Sequence, residues 1–180
     1  MNMRAYLDSL RGKTVAVIGI GVSNTPLVKL LCREGISVTA CDRRSRADLG
    51  ELAGELEGAG AALQLGDGYL ENLTQDVIFR TPGLRPDVPQ LREAVARGSV
   101  LTSEMEEFFH VCPCPIIAVT GSDGKTTTTT IIAELLRAAG KTVHVGGNIG
   151  HPLLCEAGEM AQTDWAVLEL WSFQLMTMDL

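Results

Sequence analysis

Between the apolar run Ile116 to Thr120 (IIAVT) and a helical stretch that lasts to about Ala139 lies Gly121-Ser122-Asp123-Gly124-Lys125-Thr126. No other feature of the sequence restricts its fold as much. A strand, a glycine-rich turn and a helix in immediate succession form a loop whose backbone N–H groups can surround a phosphate. The helix N-terminus adds its partial positive charge. Lys125 stands in register to bridge the β- and γ-phosphates of a nucleotide, and Thr126 to offer its hydroxyl to a Mg²⁺ ion beside them. The longer form of this loop places its first glycine where Val119 stands, so this is a shortened G-x-x-G-K-T version. A helix start without a ligand explains the segment less well. Thr126 to Thr130 puts five β-branched residues into the first turns, each costing about 0.5 kcal/mol relative to Ala. Downstream, Glu169 ends the apolar run Trp165 to Leu170 (WAVLEL) as an acid does when it meets the Mg²⁺ of a nucleotide site. A strand-end acid of this kind is also commonly just solvated.

The same strand-then-helix alternation runs along the whole chain. Thr14 to Ile18 (TVAVI), an apolar-periodic stretch from about Pro26 to Glu34 and Ile36 to Ala40 (ISVTA) predict a β-α-β unit of parallel sheet. A weak helical pattern over Leu49 to Ala62, strands at Ala62 to Leu65 and Asp76 to Arg80, and a helix over Pro89 to Arg97 follow. Ser99 to Thr102 reads as a strand, Ser103 to Phe109 as a helix, and Thr142 to Gly146 as a strand leading into Gly146-Gly147-Asn148-Ile149-Gly150. The predicted class is α/β: a Rossmann-like parallel-sheet domain over residues 1–112, then the beginning of a P-loop ATPase α/β domain over residues 113–180. The boundary falls at Cys112-Pro113-Cys114-Pro115, where composition changes.

The first strand also ends in a glycine turn. Gly19-Ile20-Gly21-Val22-Ser23-Asn24 resembles the dinucleotide fingerprint G-x-G-x-x-G, with Asn24 in place of the third glycine. Asp42 ends the second strand, where that fold keeps its ribose-binding acid, which leaves an NAD-dependent oxidoreductase among the readings. Arg43, Arg44 and Arg46 follow directly, a cluster suited to a diphosphate. A tight β-α turn and a solvated arginine loop are the simpler readings of the same residues.

Charge and cysteine content narrow the partners. The chain of 180 residues carries 15 Lys+Arg against 22 Asp+Glu, a net charge of -7, which argues against duplex nucleic acid. The first 50 residues nevertheless hold 8 basic and 4 acidic side chains, enough to attract a small anion. No run of about 18 apolar residues and no signal-peptide core is present, so no membrane partner and a cytoplasmic location are expected. Five cysteines without a C-x-x-C pair argue against a disulfide framework. His110-x-Cys112-x-Cys114 lacks the second ligand pair of a zinc site and reads as a Pro-rich junction with reduced thiols.

Three segments together resemble the Mur ligases of peptidoglycan synthesis, and within them the branch that adds D-glutamate. They are Thr120 to Thr126, Gly146 to Gly150, and Leu168-Glu169-Leu170-Trp171-Ser172-Phe173-Gln174-Leu175, which is similar to that branch's E-L-S-S-F-Q-L. The resemblance spans this chain but only about two fifths of a typical member. It implies a first domain holding a UDP-sugar, through Val22, Ser23, Asp42, Arg43, Arg44, Thr81 and Gly83, with Ser172 also on the substrate side. It implies ATP on Gly121, Ser122, Asp123, Gly124, Lys125, Thr126 and Thr127, Mg²⁺ on Thr126 and Glu169, and Lys125, Glu169 and Asn148 as catalytic residues.

The reaction so implied joins D-glutamate to UDP-N-acetylmuramoyl-L-alanine through an acyl phosphate. A free carboxylate resists amine attack, so it first takes the γ-phosphoryl of ATP, and the amine then displaces phosphate. Because two anions meet, Lys125 and Mg²⁺ act by neutralising charge and aligning the reactants. Two departures stand out. Trp171 replaces the first serine of the motif, and the family's further metal-site histidine, carbamylated lysine and amino-acid-binding domain would lie beyond Leu180. A catalytically inactive UDP-sugar or nucleotide-binding fragment is therefore the alternative. A short ATPase sheet with an open apolar edge is also expected to form a homodimer or to be destabilised.

Overall fold

The computed structural model describes residues 1–175 and 178. The chain forms two compact units, one of residues 5–104, the other of residues 105 onward together with residues 1–4. After α1 (Met3–Leu10), the first unit is built on β1 (Thr14–Ile18), α2 (Asn24–Arg33), β2 (Ser37–Asp42), α3 (Arg46–Leu49), α4 (Glu51–Gly58), β3 (Ala62–Leu65), β4 (Val77–Phe79), α5 (Pro89–Ala96) and β5 (Val100–Thr102).

All five strands are parallel, in the order β3-β2-β1-β4-β5. The chain steps outward from β1 to β3, returns to β4 on the other side of β1, and continues to β5. Such a reversal opens a crevice at the carboxyl ends of β1 and β4, where ligands of doubly wound sheets bind. Val15, Ala16, Val17 and Ile18 are all buried, the continuous apolar run expected of a parallel strand covered on both faces. Ala16, Ile18, Cys41 and Ile78 pack with Leu70, Leu73 and, from α5, Leu91 and Ala94.

Local details differ from the sequence expectations for identifiable reasons. The helix α2 starts at Asn24 and takes Pro26 into its first turn, where a missing N–H costs nothing. The stretch expected as one helix from Leu49 is divided at Gly50. A capping box between Ser45 and Asp48 starts α3, and α4 begins afresh at Glu51. The helix α1 was not anticipated, although its buried Met3, Tyr6, Leu7 and Leu10 follow helical spacing.

The second unit contains α6 (Glu104–Val111), β6 (Ile116–Val119), α7 (Lys125–Ala138), β7 (Val143–Gly147), a 3₁₀ turn at Leu154–Glu156, β8 (Trp165–Glu169) and α8 (Ser172–Leu175). Its sheet is parallel in the order β6-β8-β7, so the strand latest in sequence lies in the middle. Ala166, Val167 and Leu168 of β8 are fully buried. On α7, Ala133 is buried while Ile131 and Leu135 are 54% and 66% exposed.

Thr129, also on α7, is fully buried, and its hydroxyl has no hydrogen-bond partner among the described residues. Thr129→Val keeps the shape and removes that unmet group, so it should stabilise the protein by about 1 kcal/mol. Denaturant unfolding checks this; a lower midpoint for the variant would show that the hydroxyl has a partner in solution.

Candidate functional site

The chain leaves β6 through Gly121 and Ser122 and enters α7 at Lys125, with Gly124 as the N-cap. Gly124 carries no side chain to cap the first turn, so the N–H groups there stay available to an anion. Lys125 Nζ lies over the loop, donating to the carbonyls of Gly121 at 2.9 Å and Ser122 at 3.3 Å. Ser122, Asp123 and Thr127 are exposed around it.

Glu169 reaches this loop through the sheet. Parallel pairing puts Val119 opposite Glu169, so the end of β8 lies beside the end of β6. There Thr126 Oγ1 donates to Glu169 Oε2 at 2.6 Å. Glu169 is buried and has no ion pair among the described residues. A buried carboxylate without a counter-charge is costly, and it is stabilised when a cation arrives. A hydroxyl and a carboxylate are the hard oxygen donors that suit Mg²⁺. No cluster of three or more His, Cys, Asp or Glu side chains forms a metal site among the described residues. Thr126 and Glu169 are the residues that would hold such a cation.

On the other side of β8, Gly147 pairs with Glu169. The Asn148 N–H donates to the Glu169 carbonyl at 2.8 Å, and Asn148 Nδ2 donates to Gln174 Oε1 at 3.0 Å. The same Gln174 oxygen accepts the Trp171 N–H at 2.8 Å. Gln174, which is buried, thus ties the start of α8 to the loop after β7. Sequence reasoning gave it no role, although it lies in the stretch that carried the resemblance. Trp171 is 40% exposed and Ser172 is exposed.

In the first unit the glycine turn and the end of β2 are joined through Asp42. Asp42 Oδ2 accepts the Ile20 N–H at 2.7 Å, and Oδ1 accepts the Arg44 N–H at 2.8 Å and Arg44 Nε at 3.0 Å. Arg44 Nη2 also donates to Asp42 Oδ2 at 3.0 Å and to the Ile20 carbonyl. Asn24 is a strut in the place of the third glycine: its Nδ2 donates to the carbonyls of Ile18 and Gly19, both at 3.0 Å. Gly19, with φ of 85°, packs against Thr81; a Cβ there would lie 2.9 Å from Thr81 Cβ. The structure therefore brings together the turn after β1, Asp42, Arg44 and the Thr81-Pro82-Gly83 turn after β4. Val22, Arg43 and Gly83 are exposed at this end of the sheet, with Ser23 half-buried as the α2 N-cap. Arg46 is instead paired with Glu57 on the surface.

Burial alone would raise the Asp42 pKa, but the hydrogen bonds from Arg44 and from Ile20 N–H outweigh it and hold the group below its ordinary value. Its ionised form therefore stabilises the fold at pH above about 4. That contribution is lost as pH falls through the unfolded and then the folded value. Asp42→Asn should lower stability at neutral pH and flatten its dependence on pH below about 4. Chemical denaturation at several pH values measures this; equal slopes for both proteins would contradict the assignment.

The Mur ligase middle domain family matches residues 119–180. A UDP-N-acetylmuramoylalanine–D-glutamate ligase of Clostridium novyi (strain NT) is 52% identical over 174 residues, covering 96% of this chain and 38% of that protein. One from Clostridium botulinum (strain Okra / Type B1) is 50% identical over 179 residues, covering 99% and 39%. The chain thus spans about two fifths of the length of these curated relatives. The crystal structure of UDP-N-acetylmuramate:L-alanyl-gamma-D-glutamyl-meso-diaminopimelate ligase from Neisseria meningitides shares the fold. Its TM-score is 0.51 at 20% identity, covering 87% of this chain and 52% of that one. Among the described residues no helix is long and apolar enough to cross a membrane. With half of its residues identical to those ligases over nearly its whole length, two parallel α/β units and a glycine loop facing a buried acid, the chain corresponds to the N-terminal part of a Mur ligase.

Proposed function

We propose that this chain is the UDP-sugar-binding and ATP-phosphate-binding part of an ATP-dependent ligase. The ligase adds D-glutamate to UDP-N-acetylmuramoyl-L-alanine in peptidoglycan precursor synthesis. The observation that carries the reading is the 2.6 Å contact between Thr126 and the buried Glu169 at the mouth of the shortened phosphate loop. Residues 1–112 are read as the UDP-sugar domain and residues 113–180 as part of the ATP-binding domain.

Each residue then has a physical task. The loop from Gly121 to Gly124 and the first turn of α7, with Thr127, present N–H groups to the phosphates. Lys125, held close by two loop carbonyls, has only to swing from them to reach phosphate oxygens. Thr126 and Glu169 hold Mg²⁺, which when bound neutralises phosphate charge. Asn148 is locked to the Glu169 backbone and to Gln174, so its amide is prepositioned beside the phosphate loop rather than free to rotate. Ser172, exposed at the first turn of α8, faces the substrate side. In the first domain, Asp42 and Arg44 set the shape of the turn after β1. Arg43, Val22, Ser23, Thr81 and Gly83 line the crevice that takes the uridine diphosphate.

These groups serve the activation step: they bring the lactyl-alanine carboxylate and the γ-phosphoryl group together against their charge repulsion. The resulting acyl phosphate is open to the D-glutamate nitrogen. The exposed Ile131 and Leu135 on α7 support self-association, which light scattering would register as two chains per particle.

Calorimetry with UDP-N-acetylmuramoyl-L-alanine, and with NAD as the control, tests the proposal. The expected result is saturable heat from the UDP-sugar alone. Heat from NAD alone would replace the reading with that of an oxidoreductase. ATP turnover in the presence of UDP-sugar and D-glutamate distinguishes a competent ligase from a binding fragment.

A further inference from the structure

Cys112 and Cys114 flank Pro113 in the four residues that join α6 to β6. Their sulfurs lie 3.6 Å apart, and Cys112 Sγ also donates to the Cys114 carbonyl at 3.5 Å. Each cysteine precedes a proline, which biases its backbone towards the extended region. The pair is anchored on both sides. The Cys112 N–H donates to the Phe108 carbonyl at 2.8 Å, and the Pro115 carbonyl accepts the Ala166 N–H at 3.0 Å as the β6–β8 ladder begins. Cys114 is buried, whereas Cys112 is only half-buried. Nothing in the nucleotide or sugar reading uses either thiol.

We propose that Cys112 and Cys114 form an oxidisable dithiol site that a low-molecular-weight disulfide closes to an intrachain disulfide. Cys112, the more accessible thiol, loses its proton and attacks one sulfur of the small disulfide. A bond forms between Cys112 and that sulfur, and the other half departs as a thiolate. Cys114 then gives up its proton and attacks the Cys112 sulfur, expelling the second small thiolate. The protein has lost two hydrogens, and the small disulfide has been reduced to two thiols. Burial, then the neighbouring Cys112 and the charge of Asp164, push the Cys114 thiol up to about 12. Closure therefore quickens as pH rises.

The test is incubation of the folded chain with oxidised glutathione, followed by iodoacetamide, trypsin and mass measurement. Residues 98–125 form one tryptic peptide that contains Cys112 and Cys114 and no other cysteine. In the wild type this peptide should be two hydrogens lighter and unalkylated, and dithiothreitol should restore alkylation at both positions. In Cys114→Ser the second step is impossible, so Cys112 should carry one glutathione. A wild-type peptide that keeps a glutathione, is alkylated at both cysteines, or is linked to another peptide would overturn the proposal. Should Cys114→Ser fail to fold, the wild-type mass decides by itself.

Discussion

Gly147→Ala is expected to destabilise the second unit by more than about 4 kcal/mol, placing it among the severe single substitutions. Gly147 has φ of 93°, and a Cβ built there would lie 2.1 Å from the Glu169 carbonyl oxygen. That oxygen cannot retreat freely, because it accepts the Asn148 N–H and belongs to the central strand of the sheet. Relief would require parting β7 from β8, which dismantles the Thr126–Glu169 contact as well. Gly158→Ala is the control in the same unit, since its Cβ would meet only the Met3 side chain, at 3.7 Å. It should change stability by less than about 1 kcal/mol. Amide hydrogen exchange is the fitting measurement. Protection should collapse across β6, β7 and β8 in Gly147→Ala and persist in β1, β2 and β4. Equal protection in the two glycine variants would show that the close approach of the strands is not what Gly147 serves.

Lys125→Ala is expected to weaken ATP binding about a hundredfold, or ~2.7 kcal/mol, the range found when one partner of a charged contact is removed. The fold should be unaffected, because among the described residues the Lys125 ammonium bonds only to the carbonyls of its own loop. The loss belongs to the phosphates, so adenosine should bind wild type and variant alike. Calorimetry with both ligands separates the two contributions. An unchanged ATP affinity would mean that Lys125 does not reach the phosphates and would remove the phosphate loop from the proposed site.

Glutamine 174 and asparagine 24 show why some of this site could not be read in advance. Asn24 looked like a missing glycine, because the fingerprint describes what a turn needs when backbone must approach a ligand. Its amide bridges two carbonyls of the preceding turn, a solution open to a side chain only once the turn has formed. Gln174 gathers two donors, from Asn148 and from Trp171, and the more distant lies 26 residues away in sequence. No periodicity or spacing records such a meeting. The helix α1 is the opposite case. Its four buried apolar residues, Met3, Tyr6, Leu7 and Leu10, are legible at helical spacing in the sequence alone.

By itself the sequence determined the alternation of short apolar strands with helices, and hence parallel sheets. It also set the glycine-rich loop that opens α7, whose glycines and Lys-Thr pair lie within a few residues of one another. Local chemistry is enough for these because backbone sterics and helix-end charge act over one or two turns. Only the tertiary structure decided that Glu169 meets Thr126 directly, why Gly147 has no alternative, and that Asp42 braces the first glycine turn. The strand orders β3-β2-β1-β4-β5 and β6-β8-β7 bring together residues tens of positions apart. Hydrogen bonds and hard-sphere contacts at 2–3 Å depend on that distance in space and not on separation along the chain.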